Sequence, residues 1–187
     1  MSVDILVGFT GFVGMHLAEA LPDACVFNSS NIDDLAHTTC DTLYFTAMPA
    51  EKWRINKDPS PDAATLEKFI SILRTVSCKR FVLISTVDVL NCTVAQDETG
   101  TQWSAHHYGA HRRALEEFVQ ANFVEHHILR LPALFGTGLK KNVLYDLLHN
   151  NQVQNICLES RFQWYDLSWL TQDIEYVVEN KIRVLNC

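Results

Sequence analysis

The chain has 187 residues, a formal net charge of −7 and six scattered cysteines, Cys25, Cys40, Cys78, Cys92, Cys157 and Cys187, with no C-x-x-C pair. That length suits one domain burying about 70 % of its unfolded surface, and the cysteine spacing fits a reduced, cytoplasmic setting rather than a disulfide framework or a metal centre. The acidic balance argues against nonspecific binding to nucleic acid, and no apolar run approaches the roughly eighteen residues of a membrane span, so the expected partners are small molecules.

The apolar run Val3 to Val7 predicts a first strand, and Met15 to Leu21 a first helix. Between them lies Gly8-Phe-Thr-Gly11-Phe-Val-Gly14. Glycine suits a turn that needs special dihedrals and that lets a pyrophosphate approach a helix N-terminus, where free N–H groups and the helix dipole favour negative charge. The reading is a dinucleotide site, although G-x-x-G-x-x-G departs from the dehydrogenase spacing G-x-G-x-x-G. Ala24 to Phe27 is the second strand, closed by Asn28-Ser-Ser-Asn31. A carboxylate at Asn28 would bind the adenosine ribose and repel a 2'-phosphate; an amide does the first weakly and the second not at all. The cofactor is therefore NAD or NADP.

Ile32 to Ala36 reads as a short helix and Thr42 to Thr46 as the third strand. Residues 47–61, with three prolines and mixed charge, read as a loop at the carboxyl end of that strand. Lys52, Trp53 and Arg54 there either face a substrate or are solvated, with Trp53 packed down. Leu66, Phe69, Ile70, Leu73 and Val76 give Asp62 to Ser77 a helical period, and Arg80 to Ser85 is a buried strand. This alternation predicts right-handed crossovers and a doubly wound parallel α/β sheet.

A polar loop with Asp97-Glu98 and Gly100 then leads to a helix from Ser104 to Asn122. Tyr108, His111, Arg112, Leu115 and Val119 share one of its faces. His126 to Leu131 is the next strand, ended by Pro132. Phe135-Gly-Thr-Gly138 runs into Lys140-Lys-Asn142 and a helix through Leu148; the tail offers a strand at Asn155 to Leu158, a helix at Ser168 to Glu179 and a strand at Ile182 to Leu185. The histidine pairs His106-His107 and His126-His127 have no metal-site spacing.

Three features arrive in a telling order: the glycine turn, Ser85-Thr86 at a strand end, and Tyr108 four residues before a cation. In this the chain resembles the extended short-chain dehydrogenase/reductase family of NAD-dependent epimerases, dehydratases and reductases, whose first turn has the G-x-x-G-x-x-G spacing. Leu83 to Val89, Asp97-Glu98 through Tyr108-Gly109, and Leu129 to Gly136 are similar to the segments that follow in that family, so the likeness spans residues 3 to 142. It implies a Rossmann fold in one domain, residues 1–187, with 132–187 as a reduced substrate-side lobe. It further implies that Tyr108 is the general acid/base, that Thr86 holds the substrate oxygen, and that Arg112 stands where the family has a lysine. The implied cofactor contacts are Gly8, Thr10, Gly11, Phe12, Val13, Gly14, Asn28, Ser29, Ile32, Ala47, Ser85, Tyr108, Arg112, Leu131 and Pro132.

Lowering a phenol from about 10 to about 7 takes about 4 kcal/mol, which a cation about 4 Å away in an effective dielectric near 20 supplies. Arg112 is expected to do this, while its forked head need not grip the nicotinamide ribose as an ammonium does. Lys52, Arg54, Asp88, Lys140, Lys141 and Asn142 are the expected substrate contacts, the two lysines at a loop where the family holds a nucleotide sugar or, equally, solvated. Asp88 stands where family dehydratases carry an acid, but Val87 replaces the usual neighbour and no dehydratase follows. The implied activity is oxidoreduction or epimerisation of a nucleotide-activated sugar in surface polysaccharide synthesis, by a cytoplasmic homodimer. A dinucleotide-binding regulator or assembly subunit without turnover is the second reading, favoured by Arg112.

Overall fold

The computed structural model describes residues 3–91 and 95–187; Cys92 lies outside the described residues. In chain order the elements are β1 (Ile5–Val7), α1 (Phe12–Ala20), β2 (Cys25–Phe27), β3 (Thr39–Phe45), α2 (Lys52–Lys57), α3 (Ser60–Leu73) and β4 (Ser77–Thr86). There follow α4 (His107–Asn122), β5 (His126–Leu131), β6 (Ala133–Phe135), α5 (Val143–His149), β7 (Trp164–Asp166), α6 (Leu170–Glu179) and β8 (Val184–Asn186).

Six strands form one parallel sheet in the order β2-β1-β3-β4-β5-β8. Because alternate side chains of a strand point to opposite faces, Ile5 and Val7 join Leu43, Phe45, Phe81 and Leu83 under α3 and α4. Leu6, Val82 and Leu129 point the other way, against Leu17 of α1 and Ile174 and Val177 of α6. Both faces are covered, which is the doubly wound Rossmann-like arrangement. From β1 the chain passes to β2 on one side and then to β3 on the other, so the sheet's switch point lies at the carboxyl ends of β1 and β3, where open α/β sheets place ligands. The late part of the chain divides: α6 and β8 return to the main sheet, while among the described residues β6 and β7 pair only with each other.

Several boundaries differ from the sequence reading. Residues 47–61 hold a helix, α2, because two prolines bracket it rather than break it and Ile55 is buried as its anchor. Pro61 sits in the first turn of α3, where a missing N–H costs no hydrogen bond. Helix α4 starts at His107, since Ser104 N donates to Val89 O at 2.9 Å and Trp103 pairs with Leu90, which hold the chain extended up to that point. The expected strand at Asn155 to Leu158 is absent: Val153–Asn155 is a single 3-10 turn and Leu158 is exposed. The pairing segment is instead Trp164–Asp166, whose central Tyr165 is buried.

Candidate active site

The first half of the site is backbone. Gly8 has φ +94°, and a Cβ there would lie 2.6 Å from Thr46 Oγ1 and 2.9 Å from the Ala47 backbone at the end of β3. Gly14 is more constrained still, since its Cβ would stand 2.0 Å from the carbonyl oxygen of Gly8. The turn therefore folds tightly onto α1, closed by Gly11 N donating to Gly8 O at 2.9 Å. Gly11 caps α1 with no side chain, and no acidic residue lies in the first turn, so the opening N–H groups at Phe12, Val13 and Gly14 are aligned for an anion. Thr10 is exposed on the turn, while Phe12 and Val13 lean on the second core cluster.

Asn28 follows β2 directly beside this turn, as Gly8 N donates to Phe27 O at 2.8 Å. Its side-chain oxygen accepts from Ser30 N at 2.8 Å and from Ser30 Oγ at 2.6 Å, which shapes the loop that leaves Ser29 exposed. Ile32 is turned into the core and Ala47 is half-buried against Gly8. The structure thus gathers the turn, Asn28 and Ala47 at the switch point. Leu131 is buried in the second core cluster and Pro132 follows it at the end of β5.

The second half is made of side chains. Gly109 lets the first turn of α4 rest on the chain after β4, for a Cβ there would lie 2.1 Å from Asp88 O. This close approach brings the Tyr108 phenol near Thr86, whose hydroxyl favours its ionised form. Thr86 Oγ1 also accepts from Asp88 N at 3.2 Å, and Tyr108 N donates to Asn56 Oδ1 of α2 at 3.0 Å. Tyr108 is 9 % exposed, and burial raises its phenol above the ordinary range; Arg112 and Thr86 act the other way, while Asp88 and Asp62 add to the rise. A neutral phenol at physiological pH follows.

Arg112 differs from its expected role in where it points. Its Cζ sits 4.2 Å from the centre of the Tyr108 ring, against the face rather than at the hydroxyl. The guanidinium, 4 % exposed, donates through Nη1 to Asp62 Oδ2, through Nη2 to Asp62 Oδ1 at 3.0 Å, and through Nη2 to Pro49 O. His111 Nδ1 lies 2.6 Å from the same Asp62 Oδ2. The cation is thereby committed to α3 and to the segment after β3, and its field on the phenol is shared with a carboxylate.

A buried ion cluster beneath this pair was missed by sequence reasoning. Glu116, fully buried on α4, accepts from Arg130 Nε at 3.0 Å and Nη2 at 2.7 Å, from Arg113 Nη1 at 3.2 Å and from Ser85 Oγ at 2.6 Å. Ser85 is thus turned toward α4. Trp103 stacks on Arg113 at 4.0 Å. The available signal was Glu116 lying two helical turns beyond Tyr108, on the same face.

The substrate-side residues lie at the rim. Lys52 Nζ and Asp88 Oδ1 form an ion pair at 2.6 Å that ties α2 to the end of β4. Arg54 and Lys141 both approach Glu51, at 3.3 and 3.8 Å. Asn142 caps α5 by accepting from Tyr145 N at 3.0 Å and donates to Leu134 O at 2.8 Å, and Lys140 is exposed. An apolar groove of about 630 Å³, lined by Phe135, Leu139, Leu144, Tyr145 and Leu148 among others, is bordered by none of the sequence-predicted site residues. No helix among the described residues is long and apolar enough to cross a membrane.

No family model and no curated protein matches the chain. Solved structures do. A UDP-galactose 4-epimerase aligns with a TM-score of 0.77 at 18 % identity, covering 98 % of this chain and 76 % of its own. TunA, an NAD-dependent NDP-hexosamine 5,6-dehydratase of tunicamycin biosynthesis, gives 0.77 at 18 %, covering 100 % and 75 %. The dTDP-4-dehydrorhamnose reductase of Yersinia enterocolitica gives 0.76 at 13 %, covering 100 % and 74 %. At these identities the likeness establishes the fold alone, a parallel Rossmann-like α/β sheet.

Proposed function

We propose that the chain is an NAD(P)-dependent oxidoreductase or epimerase acting on a nucleotide-activated sugar. The observation that carries this reading is the juxtaposition of Thr86 and Tyr108 at the same carboxyl end of the sheet as the glycine turn. The turn, with its uncapped helix N-terminus, fits a pyrophosphate; Gly8, Thr10, Gly11, Phe12, Val13 and Gly14 would hold it, with Asn28, Ser29 and Ala47 beside the adenosine. When bound, the nicotinamide ring supplies a hydride acceptor or donor.

In this reading Thr86 fixes the substrate oxygen and Tyr108 exchanges a proton with it. Burial keeps the phenol protonated, so it is poised as an acid toward a carbonyl oxygen; the reverse direction, which needs tyrosinate, is favoured by alkaline pH. Lys52, Arg54, Lys140 and Lys141 would meet an anionic substrate at the rim. The parts of 132–187 outside the main sheet, β6, α5 and β7, would serve as the reduced substrate-side lobe, and α3 with α4 as a homodimer face.

The second reading, a dinucleotide-binding regulator or assembly subunit without turnover, is favoured by one observation: Arg112 is paired with Asp62 and Pro49 O rather than facing the phenolic oxygen. Mixing the purified protein with NADH or NADPH and a panel of nucleotide sugars, while following nicotinamide absorbance and sugar products, separates the two. Turnover that Tyr108→Phe removes supports the enzyme. Binding of the dinucleotide with no sugar converted supports the regulator, and no dinucleotide binding overturns both.

A further inference from the structure

At the end of the sheet remote from the candidate site, Cys40 of β3 and Cys78 of β4 are direct partners in the parallel ladder. They share a face, both packing with the core cluster under α3 and α4. Adjacent strands run about 4.8 Å apart, which lies within the Cα separation a disulfide spans, about 4.4–6.8 Å. Both thiols are free. The rest of this edge is fixed: Lys79 and Asp41, the next residues along, form an ion pair at 2.6 Å, and Ser77 N donates to Thr38 O at 3.0 Å.

We propose that Cys40 and Cys78 are an oxidation-dependent cross-strand disulfide site. Cys78 is half-buried and reachable by a reagent, whereas Cys40 is enclosed and is placed to resolve it. With a small disulfide such as oxidised glutathione, Cys78 loses its proton and attacks one sulfur, forming a mixed disulfide and expelling one glutathione thiolate. Cys40 then loses its proton and attacks Cys78 Sγ, forming the Cys40–Cys78 bond and expelling the second glutathione thiolate. The two released protons neutralise the two glutathione thiolates, so the protein dithiol is oxidised and the reagent disulfide reduced.

The consequence lies in what the bond encloses. The chain between the two cysteines carries α2 and α3 and includes Pro49, Asn56 and Asp62, the contacts that seat Arg112 and the start of α4. Closing that loop restricts the unfolded chain and locks this crossover. The proposal is independent of the functional reading.

The test uses the full chain, folded, incubated with oxidised glutathione, alkylated, digested without reduction and mapped by mass spectrometry. The expected result is a Cys40–Cys78 linked peptide two hydrogens lighter than its parts, and a Tm raised by up to about 10 °C that dithiothreitol reverses. The exposed Cys25 and Cys157 carry glutathione only. Cys78→Ser and Cys40→Ser each remove the Tm rise. A lasting glutathione adduct on Cys78 without the cross-link, or a cross-link that forms only in denaturant, overturns the proposal; the wild-type map decides even if a variant fails to fold.

Discussion

The two halves of the candidate site are made of different material. Around the glycine turn the site is backbone, and its shape follows from where side chains are missing: a Cβ on Gly14 meets Gly8 O at 2.0 Å. Around Tyr108 the site is an assembly of side chains from α2, α3, β4 and α4, held by buried charge at Asp62, Arg112 and Glu116. The first half is rigid because nothing else fits, whereas the second depends on pairs that fail together when one member is lost. The difference predicts where substitutions cost stability, where they cost chemistry, and where they cost neither.

The largest effect is expected in the backbone half. Gly14→Ala forces a methyl group into a carbonyl that has no room to retreat, and the fold should lose about 4 kcal/mol in urea denaturation, along with dinucleotide binding. Next comes the charged half, where Asp62→Ala strands the Arg112 guanidinium in the core and should cost about 3 kcal/mol. A loss below about 1 kcal/mol would mean that water reaches Arg112 and that the pair is less enclosed than the geometry shows.

A smaller, graded effect is expected from pH. His127 is buried, places Nδ1 2.7 Å from Ile182 O, and leaves Nε2 without a partner among the described residues. Burial disfavours its protonation and lowers its pKa. The unfolded chain takes up the proton below about 6.5, so stability present above that pH is lost as pH falls through the depressed folded value. Denaturation midpoints measured between neutral and mildly acidic pH should therefore fall, and His127→Asn should flatten the slope. The smallest effect belongs to Lys52→Ala: its exposed ion pair with Asp88 should contribute under about 1 kcal/mol, so any fall in nucleotide-sugar affinity reports contact rather than folding.

What the sequence reveals follows the same division. The glycine turn, Asn28, Thr86 and Tyr108 are legible because each is a local pattern tied to a strand end or a helix start. The partners of Arg112 are not, since Pro49 and Asp62 lie far away along the chain and only α4 packing against α2 and α3 brings them in. Asp62 in particular reads as an ordinary acid at a helix start, yet it is 4 % exposed. Glu116 is hidden by its exposed neighbour Glu117, and α2 by prolines that mark its ends but suggest a loop. Burial of a charge is a tertiary event, and one chain of letters does not display it.

On the proposed reading, cofactor affinity resides in the backbone half and turnover in the side-chain half. Calorimetric titration of dinucleotide into wild-type protein and Tyr108→Phe, with turnover measured on the same samples, tests this directly. Dissociation constants within about twofold of each other are expected, with turnover present only in the wild type. Affinity and turnover falling together in Tyr108→Phe, with the protein still folded, would contradict it.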